Sequence, residues 1–157
     1  MQVKTTRFGT IDVADEEIVR FTDGLPGFRG ARSMVLIGAG HLAGTESVDE
    51  QHSLFWLQDV TDPDLAFLTT VPWTAYPDYD FEIDPSDVHG AAQEDLSVLA
   101  MVTVRREDGA VRLTTNLLAP IVIDAKTRVG QQLILQDSDW PIHAPLADAL
   151  PSGRSGC

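Results

Sequence analysis

Residues 54–71 read LFWLQDVTDPDLAFLTTV, and this stretch decides the fold. Two runs rich in apolar, aromatic and β-branched residues, Leu54–Val60 and Leu65–Val71, stand on either side of the turn sequence Thr61-Asp62-Pro63-Asp64. Runs of this composition favour strands, and Pro and Asp between them favour a tight reversal of the chain. The stretch therefore predicts an antiparallel hairpin.

The same pattern of short strands between turns continues in both directions. Further strands are predicted at Val3–Phe8, Thr10–Val13, Ile18–Phe21, Met34–Ile37, Ser97–Val104, Val111–Thr115, Ile121–Ile123 and Gln131–Leu135. Residues 38–53 show no clear period and predict a long mobile loop.

These strands predict a mostly β fold, a small antiparallel β-barrel-like domain with one or two short helices. Closing the sheet into a barrel removes exposed strand edges, which is why we expect a barrel. The domain is expected to span residues 1–147, and residues 148–157 are expected to form a disordered tail.

One predicted strand carries an unusual arrangement of acids. Along Tyr79–Ile83 the apolar residues share one face, while the other face carries the carboxylates of Asp78, Asp80, Glu82 and Asp84. A helix is predicted to follow, with Asp84 as its N-cap and Pro85 at its first position, and to end before Leu96.

The net charge of −13 is concentrated in the middle of the chain. Between Ser33 and Val104 there are thirteen Asp or Glu and no Lys or Arg. The segment before it carries five acidic and five basic residues, and the segment after it carries six of each. This distribution argues against direct nucleic-acid binding, which needs cations against phosphate. It favours a basic protein partner, with a plain solvated face and a divalent cation as the alternatives.

Two groups of acids are the candidate partner-binding residues. They are Asp59, Asp62 and Asp64 on the hairpin turn and Asp78, Asp80 and Glu82 on the acidic strand. Trp73 and Tyr76 lie in a proline-bounded stretch beside them and are candidate apolar anchors, with the core as the alternative location. No metal site is predicted, because carboxylates on an extended strand diverge and the hairpin turn lacks the Gly and terminal Glu of a calcium loop.

The sequence offers little support for catalysis. It contains no nucleophile elbow, zinc-protease helix motif, phosphate-binding loop or dinucleotide glycine pattern, and His41, His52, His89 and His143 are scattered. We therefore expect no enzyme activity and no cofactor, and keep a divalent-cation-binding or hydrolytic β-domain as the alternative function. A lone cysteine, Cys157, and the lack of a signal peptide or a membrane-length apolar run predict a cytoplasmic protein without membrane contact.

Several stretches, in order along nearly the whole chain, resemble the bacterial FliW family of flagellar assembly factors. The resembling pieces are Phe8-Gly9, Gly24-Leu25-Pro26-Gly27-Phe28 with Phe21 before it, Trp56–Phe67, Pro77–Phe81, Thr115–Ile123 and Lys126–Gln132. Glycine-proline turns and apolar strands are common by themselves, but the ordered set, and Asn116-Leu117-Leu118-Ala119-Pro120 above all, is specific.

The resemblance implies a small cytoplasmic β-barrel-like protein that binds newly made flagellin through the flagellin C-terminal helical region. It also implies binding to CsrA, an RNA-binding translational repressor with a basic surface, where CsrA is present. Flagellin and CsrA would compete, so that free CsrA lowers flagellin translation when flagellin accumulates.

Five residues of the resembling pieces are interpreted as structural turn residues. They are Gly24, Pro26, Gly27, Asn116 and Pro120. For Asn116 the preferred interpretation is a turn closed by local hydrogen bonds, and a flagellin-facing position is the alternative.

Overall fold

The computed structural model describes residues 1–38, 54–88, 90, 92–136 and 138–146, and its strands form a closed barrel with an added hairpin. The strands are β1 Gln2–Thr5, β2 Gly9–Asp12, β3 Ile18–Arg20, β4 Ser33–Gly38, β5 Leu54–Asp59, β6 Ala66–Thr70, β7 Leu96–Glu107, β8 Ala110–Thr115, β9 Ile121–Asp124, β10 Val129–Gln132 and β11 Ala144–Pro145. Short 3₁₀ helices occupy Asp15–Glu17, Pro72–Thr74, Pro85–Val88 and Gln93–Asp95. No helix in these ranges is both long and apolar enough to span a membrane.

The hairpin predicted from residues 54–71 is present and lies in the wall of the barrel. Strands β5 and β6 pair antiparallel, with Leu57 opposite Phe67. Leu57 is fully buried and belongs to the main core cluster together with Phe21, Met34 and Ile121. The hairpin that the sequence predicts therefore also supplies side chains to the core.

Seven strands close the barrel in the order β9, β10, β3, β4, β5, β6 and β7, with β7 pairing back to β9. Neighbouring strands run antiparallel, except that β10 and β3 are parallel. Strand β7 makes the closure possible because Leu96–Leu99 pairs with β9, whereas Val102–Glu107 pairs with β8 outside the ring. The predicted antiparallel barrel-like fold is confirmed.

The acidic segment Tyr79–Ile83 is extended but is not a strand, which corrects the sequence prediction. Its alternation is present, since Tyr79 is buried, Phe81 and Ile83 are half-buried, and Asp80 and Glu82 are exposed. Its carbonyl groups, however, bond to side chains: the indole N–H groups of Trp73 and Trp140 donate to the carbonyl oxygens of Tyr79 and Asp80. The segment therefore shows the alternating burial of a strand but not the backbone hydrogen bonds that pair a strand with its neighbour.

The helix predicted after Asp84 is also shorter than expected. Asp84 does cap it, because its Oδ1 accepts hydrogen bonds from the backbone N–H and the hydroxyl of Ser86, at 3.0 and 2.9 Å. The helix ends after the single 3₁₀ turn Pro85–Val88, and Gly90 adopts a φ of 77°, which interrupts a right-handed helix. The loop predicted at 38–53 does not include Gly38, because this residue belongs to β4. Residues 39–53 and the predicted tail at 148–157 lie outside the described residues.

Candidate functional site

The two acidic groups expected to form one surface lie at opposite ends of β6. The hairpin turn with Asp62 and Asp64 precedes this strand, and the Thr6 hydroxyl donates a hydrogen bond to Asp64 Oδ1 there. The segment with Asp78, Asp80 and Glu82 follows the strand and packs beside Trp140. The structure therefore contains two separate acidic regions.

Asp59 is not a surface charge, which corrects its assignment to the partner-binding set. The residue is 1% exposed, and its Oδ1 accepts hydrogen bonds from the backbone N–H of Thr61 and Asp62 and from the Thr61 hydroxyl, at 2.7 to 2.9 Å. A carboxylate in this position closes the turn between β5 and β6. Asp62 and Asp64 on the same turn are exposed.

Trp73 holds the acidic segment, whereas Tyr76 is bonded to β11. Trp73 is 39% exposed, but its ring packs on the ring of Tyr79, with ring centroids 5.8 Å apart. Its indole N–H donates a hydrogen bond to the Tyr79 carbonyl oxygen. Tyr76 is half-buried, and its hydroxyl donates to the carbonyl of Pro145 in β11 at 2.6 Å. Only part of the Trp73 ring is available for contact with a partner.

The acidic segment forms one wall of a wide depression of about 760 Å³. Four acidic residues line it, Asp80, Glu82, Asp84 and Asp87, together with residues 133–136 and Ser138. The hydrogen bonds from Ser86 hold the pKa of the Asp84 carboxyl below its ordinary value. We call this region the acidic depression; it concentrates negative charge at the surface.

An apolar groove of about 410 Å³ lies on the other side of Ile134. It is lined by Pro26, Phe28, Phe67, Met101, Asn116, Leu118, Ala119, Gln132, Ile134 and Ile142. Phe28, Ile134 and Ile142 are 46%, 59% and 51% exposed, although large apolar side chains are usually covered. We call this surface the apolar groove.

Sequence reasoning missed the apolar groove because six separate segments build it. No single stretch of sequence has a hydrophobic pattern that indicates the groove. Strands β6 and β7 contribute one lining residue each, Phe67 and Met101. The available signal was weak: Phe28 and Ile142 are large apolar residues outside the predicted strands. Ile134 lies in the predicted strand Gln131–Leu135, but the strand β10 ends at Gln132.

The Gly24–Phe28 turn positions one wall of the apolar groove. Leu25 and Phe28 exchange backbone hydrogen bonds, which buries Leu25 and turns Phe28 outward against Phe67, with ring centroids 5.0 Å apart. Gly24 has a φ of 70°, and a Cβ there would lie 2.5 Å from the carbonyl oxygen of Arg29. Only glycine fits this position, so the turn geometry depends on it.

The Asn116–Pro120 turn positions the opposite wall. Asn116 Oδ1 accepts hydrogen bonds from the backbone N–H groups of Leu118 and Ala119, at 3.0 and 3.1 Å. The carbonyls of Leu118 and Pro120 accept from the N–H groups of Leu135 and Leu133, which fixes the segment carrying Ile134. Asn116 thus closes a turn, as its preferred interpretation expects, and it also lines the apolar groove.

Metal binding has no geometric support in the part of the chain that is described. There, no three His, Cys, Asp or Glu side chains come together closely enough to hold a metal ion. Of the four histidines, only His143 lies in the described ranges. It is exposed, with its Nδ1 3.5 Å from the Thr114 hydroxyl.

Comparisons with known proteins agree with the fold and span the groove-forming segments. A family model described as FliW protein matches residues 2–146. The chain is 40% identical over 136 residues to the flagellar assembly factor FliW of Alkaliphilus metalliredigens, covering 86% of this chain and 79% of that protein. It is 33% identical over 156 residues to the flagellar assembly factor FliW of Caldanaerobacter subterraneus subsp. tengcongensis, covering 99% of each. A crystal structure of the flagellar assembly factor FliW matches with a TM-score of 0.76 at 27% identity, covering 92% of this chain and 96% of that one.

Proposed function

Because the chain belongs to the FliW family of flagellar assembly factors, we propose that it is a cytoplasmic, non-catalytic binding protein for flagellin. The apolar groove carries the proposal. It is the binding site expected for a helix with one apolar face, and the flagellin C-terminal helical region is the segment that the family resemblance implies.

The shape and composition of the apolar groove suit a helix. A helix binds a groove through side chains that recur every three to four residues, and these need apolar surface bordered by a few polar groups. Phe28, Ile134 and Ile142 supply exposed apolar surface, while Asn116 and Gln132 supply the polar border. Burial of such exposed side chains contributes about 25 cal/mol per Å² of apolar area.

The test is calorimetric titration of the full chain with a C-terminal segment of the same organism's flagellin. Ile142→Glu introduces a charge into the apolar groove and is expected to weaken binding about tenfold or more. Val104→Glu is the matched control, since Val104 is 46% exposed on β7 and lies outside the groove. Equal affinities for the two variants would contradict the groove as the binding site.

The acidic depression supports a second proposal, that the protein antagonises CsrA. Its four carboxylates include Asp80 and Glu82, which are exposed. A basic RNA-binding surface docked against them would be obstructed, and the remaining negative charge would also repel an RNA backbone. The hydrolytic or cation-binding alternative gains no comparable support, because the described carboxylates do not converge on one point.

This second proposal is tested by the salt dependence of CsrA binding. The double variant Asp80→Asn, Glu82→Gln is expected to weaken binding and to flatten its dependence on salt. The control, Asp12→Asn, Glu16→Gln, removes the same charge from exposed residues outside the acidic depression and the apolar groove. Salt-insensitive binding, or equal effects of the two double variants, would contradict electrostatic antagonism.

A further inference from the structure

A third depression, of about 550 Å³, adjoins the apolar groove across the Gly24–Phe28 turn. Pro26 and Gln132 line both, so a ligand that fills the groove reaches the third depression at this border. The third depression is lined by residues 22–27 of the turn, by Arg29 and Arg32, and by residues 130–132 of β10. We call it the arginine depression.

The arginine depression is cationic in a strongly acidic protein. Arg29 and Arg32 are exposed, and neither forms an ion pair with a carboxylate of the described residues. Asp23 lines the same depression, which leaves one net positive charge. Arg32 Nε donates a hydrogen bond to the carbonyl of Arg29 at 3.3 Å, so this side chain is partly fixed.

An arginine pair at the end of an apolar groove distinguishes the two ends of a bound helix. The last four carbonyls of a helix lack intrahelical partners, and this end carries a partial negative charge. At the end of a polypeptide the terminal carboxylate adds a full charge. Guanidinium groups bind carboxylates through short charge-assisted hydrogen bonds, often two in parallel.

We propose that the arginine depression receives the terminal carboxylate of flagellin, whose C-terminal helix lies in the apolar groove with its last turn at Pro26 and Gln132. This inference rests on the proposed flagellin-binding function and adds the orientation of the ligand. Arg29 and Arg32 act as specificity residues for a chain end, whereas the apolar groove supplies most of the contact area.

The experiment compares two synthetic peptides of the same flagellin C-terminal segment, one ending in a free carboxylate and one in an amide. Both are titrated by calorimetry into the full-length protein, so the first comparison needs no protein variant. We expect the free acid to bind about tenfold more tightly than the amide, the size of one charge-assisted contact. The double variant Arg29→Gln, Arg32→Gln is expected to remove this difference, and Arg105→Gln, an exposed control outside both depressions, to retain it.

Each remaining outcome overturns a specific part of the proposal. Equal binding of acid and amide to the unaltered protein would overturn the orientation and leave flagellin binding intact. A difference that persists in the Arg29→Gln, Arg32→Gln variant would assign the carboxylate to another site. Failure of both peptides to bind would overturn the proposed function together with this inference.

Discussion

At the scale of single residues, two buried polar side chains, Gln58 and Asp59, hold the turn between β5 and β6. Gln58 is fully buried, and its Nε2 lies 3.1 to 3.3 Å from the carbonyl oxygens of Asp59, Asp62, Pro63 and Leu65. Together with Asp59, it holds the β5–β6 turn from inside the protein. The sequence alone predicts a surface position for Asp59, because an Asp in a turn is usually exposed.

Gln58→Glu should strongly destabilise the protein, because a carboxylate oxygen would replace an N–H donor among four carbonyl oxygens. The expected cost is about 3 kcal/mol or more in the free energy of unfolding. Chemical denaturation measures it, and Gln132→Glu is the control because Gln132 is half-buried and donates to a single carbonyl, that of Ala119. Similar losses for both variants would contradict this role of Gln58.

Because of Tyr79, the free energy of unfolding should fall in alkaline solution. Burial raises the pKa of its hydroxyl, which donates to the Leu117 carbonyl at 2.7 Å. The unfolded chain releases this proton near pH 10 while the folded chain retains it, so stability is fully present below about pH 10 and falls above it. Denaturation of the protein and of Tyr79→Phe between about pH 9 and 11, one unit on either side of the ordinary pKa, measures this loss.

Tyr79→Phe should be less stable at neutral pH, because it loses the hydrogen bond, but its stability should fall less steeply with rising pH. Tyr76→Phe serves as the control, since the chain contains only two tyrosines and Tyr76 is less buried. Parallel pH profiles for the unaltered protein and Tyr79→Phe would contradict the assignment.

At the scale of elements, the Tyr79–Ile83 segment shows what a period of two does and does not predict. Alternation correctly predicts which residues point inward, because burial alone sets that pattern. It cannot predict that none of the described strands pairs with the segment, since hydrogen-bond partners come from distant parts of the chain. Trp140, sixty residues beyond Asp80, supplies one of them.

Trp140→Phe should loosen this segment. The substitution removes the indole N–H that donates to the Asp80 carbonyl at 2.9 Å and weakens the edge-on contact with Tyr79, whose ring centroid lies 4.9 Å away. We expect a loss of about 1–2 kcal/mol in the free energy of unfolding and faster amide hydrogen exchange at residues 80–84.

Trp56→Phe is the matched control for Trp140→Phe, because the buried Trp56 N–H has no hydrogen-bond partner among the described residues. It should leave exchange at residues 80–84 unchanged. Unaltered exchange in both variants would show that Trp140 does not hold the acidic segment.

At the scale of the whole molecule, the fold is more predictable than the site. Most strands can be predicted from local composition and turn residues. Closure of the sheet into a barrel follows from the need to cover strand edges. The apolar groove depends on side chains from six segments that only the closed barrel brings together. The parallel pairing of β3 with β10 is unpredictable for the same reason, since it joins residues about one hundred apart in the chain.

The two proposed partners should interfere with each other because their sites adjoin. Ile134 lines both the apolar groove and the acidic depression. A flagellin segment bound in the groove is therefore expected to displace CsrA, or to weaken its binding, by steric overlap at Ile134. Titration of CsrA into the protein already saturated with the flagellin peptide measures this effect, and an unchanged CsrA affinity would show that the two sites are independent.

The most direct test of flagellin binding in the apolar groove is an intermolecular NMR measurement with the flagellin C-terminal segment bound to the methyl-labelled protein. We expect nuclear Overhauser contacts from the methyl groups of Met101, Ile134 and Ile142 to apolar side chains of the segment, and none from Val104. Contacts confined to methyl groups outside the apolar groove, with those three unaffected, would contradict the groove as the binding site.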